Sequence, residues 1–195
     1  IAGAFAHKIL CQWSSAGCRF ACLGHTTGHL AMTPSRGSQA WKAALLIGAP
    51  ESYRALARHD LQTLARKAHR LGVTPAMRFD GASDSGFASD VLDDARRLGV
   101  MLWDYTKSVG RAWNALTLDG LDITLSYPGD SESAKVGGWH VFSDFVKDGG
   151  RVAVVLDVPK GADLPATFRG LPALDGDVTD LQFTRPTGRV VLLRL

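Results

Sequence analysis

A chain of 195 residues, 46% hydrophobic and 21% charged, is long enough to bury a core and lacks the polar bias of a disordered segment. Its formal net charge of +3 permits contact with a nucleic acid or nucleotide without demanding it. No apolar run reaches the ~20 residues of a membrane span and no secretory pattern opens the chain, so the expectation is one cytoplasmic β/α domain over residues 1–195 with reduced thiols. Ile1 in place of Met implies that residues are missing upstream of it.

Residues 1–10 read as a short apolar strand leading into a cysteine loop at 11–25. That loop holds all three cysteines, Cys11, Cys18 and Cys22, as C-x6-C-x3-C. Thiols so closely spaced, with Gly17 and Gly24 freeing the backbone, suit an ion or cluster that prefers thiolate ligands. A closed structural zinc site normally takes four ligands and a disulfide two. A 4Fe-4S cluster held by three cysteines leaves one iron open to a substrate or cofactor, and this is the favoured reading. Zinc bound by the same thiols with His25 is its strongest rival. One disulfide plus a free thiol, and three separately buried thiols, are the bland alternatives.

Farther on, Ser38 caps a helix to about Leu46, closed by Gly48-Ala49-Pro50. Pro50 opens the clearest helix, ending at Gly72, with Tyr53, Leu56, Ala57, Leu61, Leu64, Ala65, Ala68 and Leu71 on one face. Arg54, Arg58, Arg66, Lys67 and Arg70 take the other face, read first as solvated and second as a phosphate-contacting surface. Further strands are expected at 73–79, 100–103, 121–127, 151–156 and 190–193. Helices at 89–98, 109–116 and 131–147 separate them, the last weakened by Gly137-Gly138. Residues 159–189, rich in Pro, Gly and Asp, read as an irregular C-terminal segment. Strands apolar on both faces and alternating with helices predict a parallel sheet of about six strands, a partial (open) TIM-like β/α barrel or a doubly wound sheet.

Polar residues gather where the strands should end. Asp80, Ser83 and Asp84 follow one strand, Asp104, Tyr105, Thr106 and Lys107 the next, and Ser126, Tyr127, Asp130 and Ser131 a third. In a parallel β/α fold these ends share the rim that carries the active site. Candidate catalytic residues are therefore Asp80, Asp84, Asp104 and Lys107, with Arg78, Ser83, Tyr105, Thr106 and Ser126 as candidates for binding a cofactor or substrate. Arg78 inside a strand needs Asp80 or Asp104 as a partner, or a ligand's carboxylate or phosphate. Each also has a plain structural reading: Asp80 and Asp84 as loop or cap residues, Lys107 as a surface charge paired with Asp104.

With those residues in view, the chain resembles an uncharacterised group of phage-encoded three-cysteine proteins. The matching stretches are Cys11–Cys22, Met-Arg-Phe-Asp-Gly-Ala-Ser-Asp at 77–84, Trp-Asp-Tyr-Thr-Lys at 103–107 and Asp-Gly-Asp-Val-Thr-Asp at 175–180. This resemblance implies a phage-infected or bacterial host cell as the setting. A looser resemblance is to radical S-adenosylmethionine enzymes, which carry an open-cornered four-iron cluster after the first strand of a partial β/α barrel. Their usual spacing is C-x3-C-x2-C, against C-x6-C-x3-C here.

Three functions follow as expectations. The first is an iron–sulfur enzyme, S-adenosylmethionine its possible cofactor, acting on a small molecule, nucleotide or nucleic acid. The second is a zinc-stabilised nucleic-acid-binding protein using the basic helix and Arg19. The third is a non-redox enzyme whose rim aspartates act on a base or sugar, with Ser83–Phe87 as its motif.

Overall fold

The computed structural model describes residues 10–20, 22 and 32–195. The strand expected at 1–10 lies outside these residues except for Leu10, and so does His25. The chain forms two compact units, Ile1–Leu102 and Trp103–Leu195, with the boundary inside a strand.

In the first unit a one-turn helix α1 (Ala16–Phe20) is followed by α2 (Thr33–Gly48) and α3 (Pro50–Leu71). Both long helices have a proline in their first turn, where a missing N–H costs no hydrogen bond. Gly72, at φ 64°, closes α3 by returning its N–H to the last turn, as the sequence predicts. Then come β1 (Ala76–Met77), a 3-10 turn at Phe87–Val91, α4 (Leu92–Arg97), and β2 (Met101–Thr106), whose first residues pair parallel with β1. Ala57, Leu61 and Ala68 of α3 are buried, as are Phe87, Val91, Leu92 and Ala95. Tyr53 and Phe79 meet the Phe87 ring edge-on, with centroids 4.6 and 5.3 Å away.

The apolar face of α3 is narrower than its sequence pattern. Leu56 and Leu71, expected inward, are 46% and 63% exposed. Leu56 stands about 100° around the helix from Ala57, outside the buried stripe. The basic face is also partly spoken for. Arg54 reaches Asp90 at 3.2 Å and also Glu51, while Arg58 reaches Asp94 at 2.7 Å.

The second unit continues from β2 into α5 (Val109–Ala115), β3 (Leu121–Ser126), α6 (Asp130–Ser133) and α7 (Trp139–Lys147). After these come β4 (Arg151–Leu156), β5 (Thr167–Phe168), β6 (Leu171–Asp175) and β7 (Arg189–Arg194). The helix expected at 131–147 is divided, because Gly137 and Gly138 take φ of 103° and 76°, outside the helical region. Phe142, Phe145 and Val146 of α7 are buried.

The architecture is a mixed α/β fold with a seven-strand, mostly parallel sheet in the order β1-β2-β3-β4-β7-β6-β5. About six strands were expected. The two that the sequence hides, β5 and β6, lie within the segment 159–189 that reads as irregular. They are short, antiparallel to each other, and interrupted in pattern by Pro172. Chain order holds from β1 to β4, after which β7 stands between β4 and β6. Strand β4 is flanked by β3 and β7 in parallel register and buries Arg151, Val152, Ala153 and Val154. Val155 of this strand, expected to be buried, is 56% exposed.

The charge at the start of β4 is neutralised in place. Arg151 pairs with Asp122 at 2.6 Å and donates to the carbonyls of Arg185 and Pro186. Among the described residues no helix is long and apolar enough to cross a membrane.

Two substitutions test this packing. A Cβ on buried Gly176 would stand 2.5 Å from Val191 Cγ1 and 2.8 Å from Leu193 Cδ2, so Gly176→Ala is expected to cost about 1–3 kcal/mol in urea unfolding. Asp122→Ala leaves the Arg151 guanidinium buried without its counter-ion and is expected to cost about 3 kcal/mol in the same measurement.

Candidate functional site

In the first unit, Ser15 is buried and its hydroxyl accepts the Cys18 N–H at 3.1 Å, capping α1. A short helix therefore carries Cys18 where the sequence reads only as a loop. Cys22 lies beyond the end of that helix. All three cysteines are free thiols, with Cys18 exposed and Cys11 and Cys22 half-buried. Burial pushes the Cys11 thiol up to about 11; the Asp84 backbone N–H opposes this shift, and the nearby charges of Cys18, Asp84 and Cys22 add to it. Cys11 thus lies beside Asp84.

That neighbourhood is tied to the loop after β1. The Asp84 N–H donates to the Leu10 carbonyl at 2.7 Å, bringing the residue before Cys11 against this loop. The loop itself is organised by Asp80, which is buried. Its Oδ1 accepts the hydroxyls of Ser83 and Ser85, and its Oδ2 accepts the Gly86 N–H at 2.8 Å. Arg78 is half-buried between β1 and Asp80. The structure therefore brings together Cys11, Asp80, Ser83 and Asp84 around one loop. Beside it opens a cleft of about 380 Å³ with walls from Leu10, Leu46, Ile47, Pro50 and Phe87 and an acidic edge at Asp90.

In the second unit the strand β2 is longer than its sequence pattern. Asp104, Tyr105 and Thr106 belong to the strand itself, and only Lys107 of that group follows it. Asp104 is 1% exposed, and its Oδ1 accepts the Tyr105 N–H at 2.8 Å. Thr106 accepts the Ser108 N–H at 3.0 Å and so shapes the start of α5. The Tyr105 hydroxyl donates to Asp180 at 3.4 Å. Ser126 ends β3.

One charged cluster of this unit escapes sequence reasoning. Tyr127 and Asp130 stand after β3 as expected, but their partner is Arg169, in the two-residue turn that joins β5 to β6. Asp130 accepts from Arg169 at 2.8 Å and from the Tyr127 hydroxyl. Those two contacts, the guanidinium first, hold its carboxyl at about 2. The only local cue is the Arg-Gly pair at the turn, and it does not announce which strand end the arginine will meet.

Among the described residues, no three His, Cys, Asp or Glu side chains form a ready-made site for a single metal ion. The fourth zinc ligand considered above, His25, lies outside those residues.

The sequence match agrees with the phage-type grouping suggested by the four stretches. A family profile described as gene product 88 matches residues 2–194, and the chain belongs to the gene product 88 family. No curated protein and no solved structure matches it. The likeness to radical S-adenosylmethionine enzymes draws no support from the match.

The raised Cys11 value has a signed consequence. Folding favours the protonated thiol, so its contribution to stability is full below the ordinary value of 9.0 and is lost as pH rises through about 11. In native metal-free protein at pH 8, iodoacetamide is expected to alkylate exposed Cys18 at least ~10-fold faster than Cys11. Peptide mass spectrometry should show the Cys11 rate still climbing toward pH 11.

Proposed function

We propose that this member of the gene product 88 family is an iron–sulfur enzyme in which Cys11, Cys18 and Cys22 hold three irons of a 4Fe-4S cluster. What supports the reading is one short segment that carries three reduced thiols and is hydrogen-bonded through the Leu10 carbonyl to the loop after β1. The trio does not form a ready-made single-ion site, and a cluster would have to draw its thiolates onto three separate iron corners. When bound, such a cluster would supply redox chemistry and a position for a cofactor such as S-adenosylmethionine.

The chain's own residues would do the rest. Asp80 shapes the loop with the help of Ser83, Asp84 ties it to the cysteine segment at Leu10, and the adjoining cleft would accept a small molecule or nucleotide substrate. Arg78 would meet an anionic group of that ligand. A partial β/α barrel would share the chain-order run β1-β2-β3-β4 with this sheet and would depart from it at β7, which stands between β4 and β6.

The test is purification without oxygen, followed by iron, sulfide and zinc analysis with an absorption spectrum. Brown protein with about four irons per chain is expected, and single Cys→Ala changes at 11, 18 or 22 should abolish the colour. Colourless protein carrying stoichiometric zinc would replace the cluster with the zinc-stabilised reading. Colourless protein without metal, inactive only when Asp80 is changed to Asn, would favour base or sugar chemistry at the aspartates.

A further inference from the structure

Arg169 is the one non-glycine residue with positive φ among the described residues, at 48°. The conformation is unfavourable for an arginine, and such a turn normally selects Asn or Gly. What the position obtains in return is a fixed guanidinium. Its carbon lies 5.1 Å from the Trp139 ring centre, 5.4 Å from Phe168 and 5.7 Å from Tyr127. The rings brace one another, with Tyr127 and Phe168 each edge-on to Trp139. Ser133, itself buried, donates to the Tyr127 hydroxyl at 3.3 Å and steadies it.

Arg169 and Tyr127 converge on one anion, the Asp130 carboxylate, each donating to a different oxygen. The Asp130 side chain is 72% exposed and that of Arg169 37% exposed. An ion pair so open to water is weak and easily exchanged. The donors, by contrast, are held rigidly by the rings. This is the arrangement of an oxyanion site whose place is taken by a side chain of the chain itself.

We propose that Arg169 and Tyr127 bind a phosphate group, which displaces Asp130 from its place between them. Phosphate is favoured over a carboxylate because it offers a third acceptor oxygen on the open side and up to twice the charge. Asp130 then acts as an internal competitor that sets the affinity. The proposal does not depend on the cysteines.

Calorimetric titration of the full chain with inorganic phosphate, acetate and a nucleoside monophosphate tests it. Phosphate is expected to bind more tightly than acetate. Asp130→Asn should tighten phosphate binding about 3- to 5-fold, the range an exposed ion pair allows. Arg169→Gly, which suits the backbone at φ 48°, should weaken it at least ~10-fold without loss of fold. Arg169→Lys, keeping the charge but not the planar fork, should fall between. A nucleoside monophosphate tighter than phosphate identifies a nucleotide ligand, and equal binding identifies a phosphate group alone. No phosphate binding, or binding unchanged in Asp130→Asn and Arg169→Gly, overturns the proposal and leaves the cluster as a pin for the β5–β6 turn.

Discussion

A buried carboxylate must be given donors, and in the first unit that requirement shapes everything near the thiols. Asp80 is satisfied by two serine hydroxyls and a backbone N–H, all within six residues downstream. Meeting that demand folds the loop 80–86 tightly. The same fold turns the Asp84 N–H outward to the Leu10 carbonyl. Without Asp80 the loop has no reason to hold this form, and the cysteine segment loses its anchor. A residue read as a candidate for proton transfer is thus already committed as the organiser of the place where chemistry is proposed.

The second unit rests on a different solution to the same problem. Strand β4 runs between two parallel neighbours and opens with an arginine. The charge is tolerated there because Asp122 on the adjacent strand and two carbonyls surround it. Farther along β7, Gly176 is buried against Val191 and Leu193, an approach that any side chain would block. Buried polar pairing and a missing side chain together let short, late strands join a sheet that their own sequence barely specifies.

Electrostatics also redistributes roles across the surface. The basic stripe of α3 reads as one continuous charged face, yet Arg54 and Arg58 are bound to Asp90 and Asp94 on the following turns. That leaves less of the stripe for a nucleic acid than its composition implies. Arg169, by contrast, is invisible as a site in the sequence and becomes the best-framed cation of its unit through three aromatic rings.

Local chemistry made much of the fold legible. Pro50 and Gly72 bound α3, and the β-branched run at 151–156 is a strand. The cysteine spacing and the polar residues after β1 and β3 were equally readable, because ligand type and turn chemistry are written in neighbouring residues. Other features required the folded chain. The length of β2, the strands β5 and β6, the exposure of Leu56 and Leu71, and the meeting of Arg169 with Asp130 all depend on partners distant in sequence. Short-range pattern encodes what a segment can become; which face is covered, and which charge meets which, is settled only when remote segments compete for the same surface.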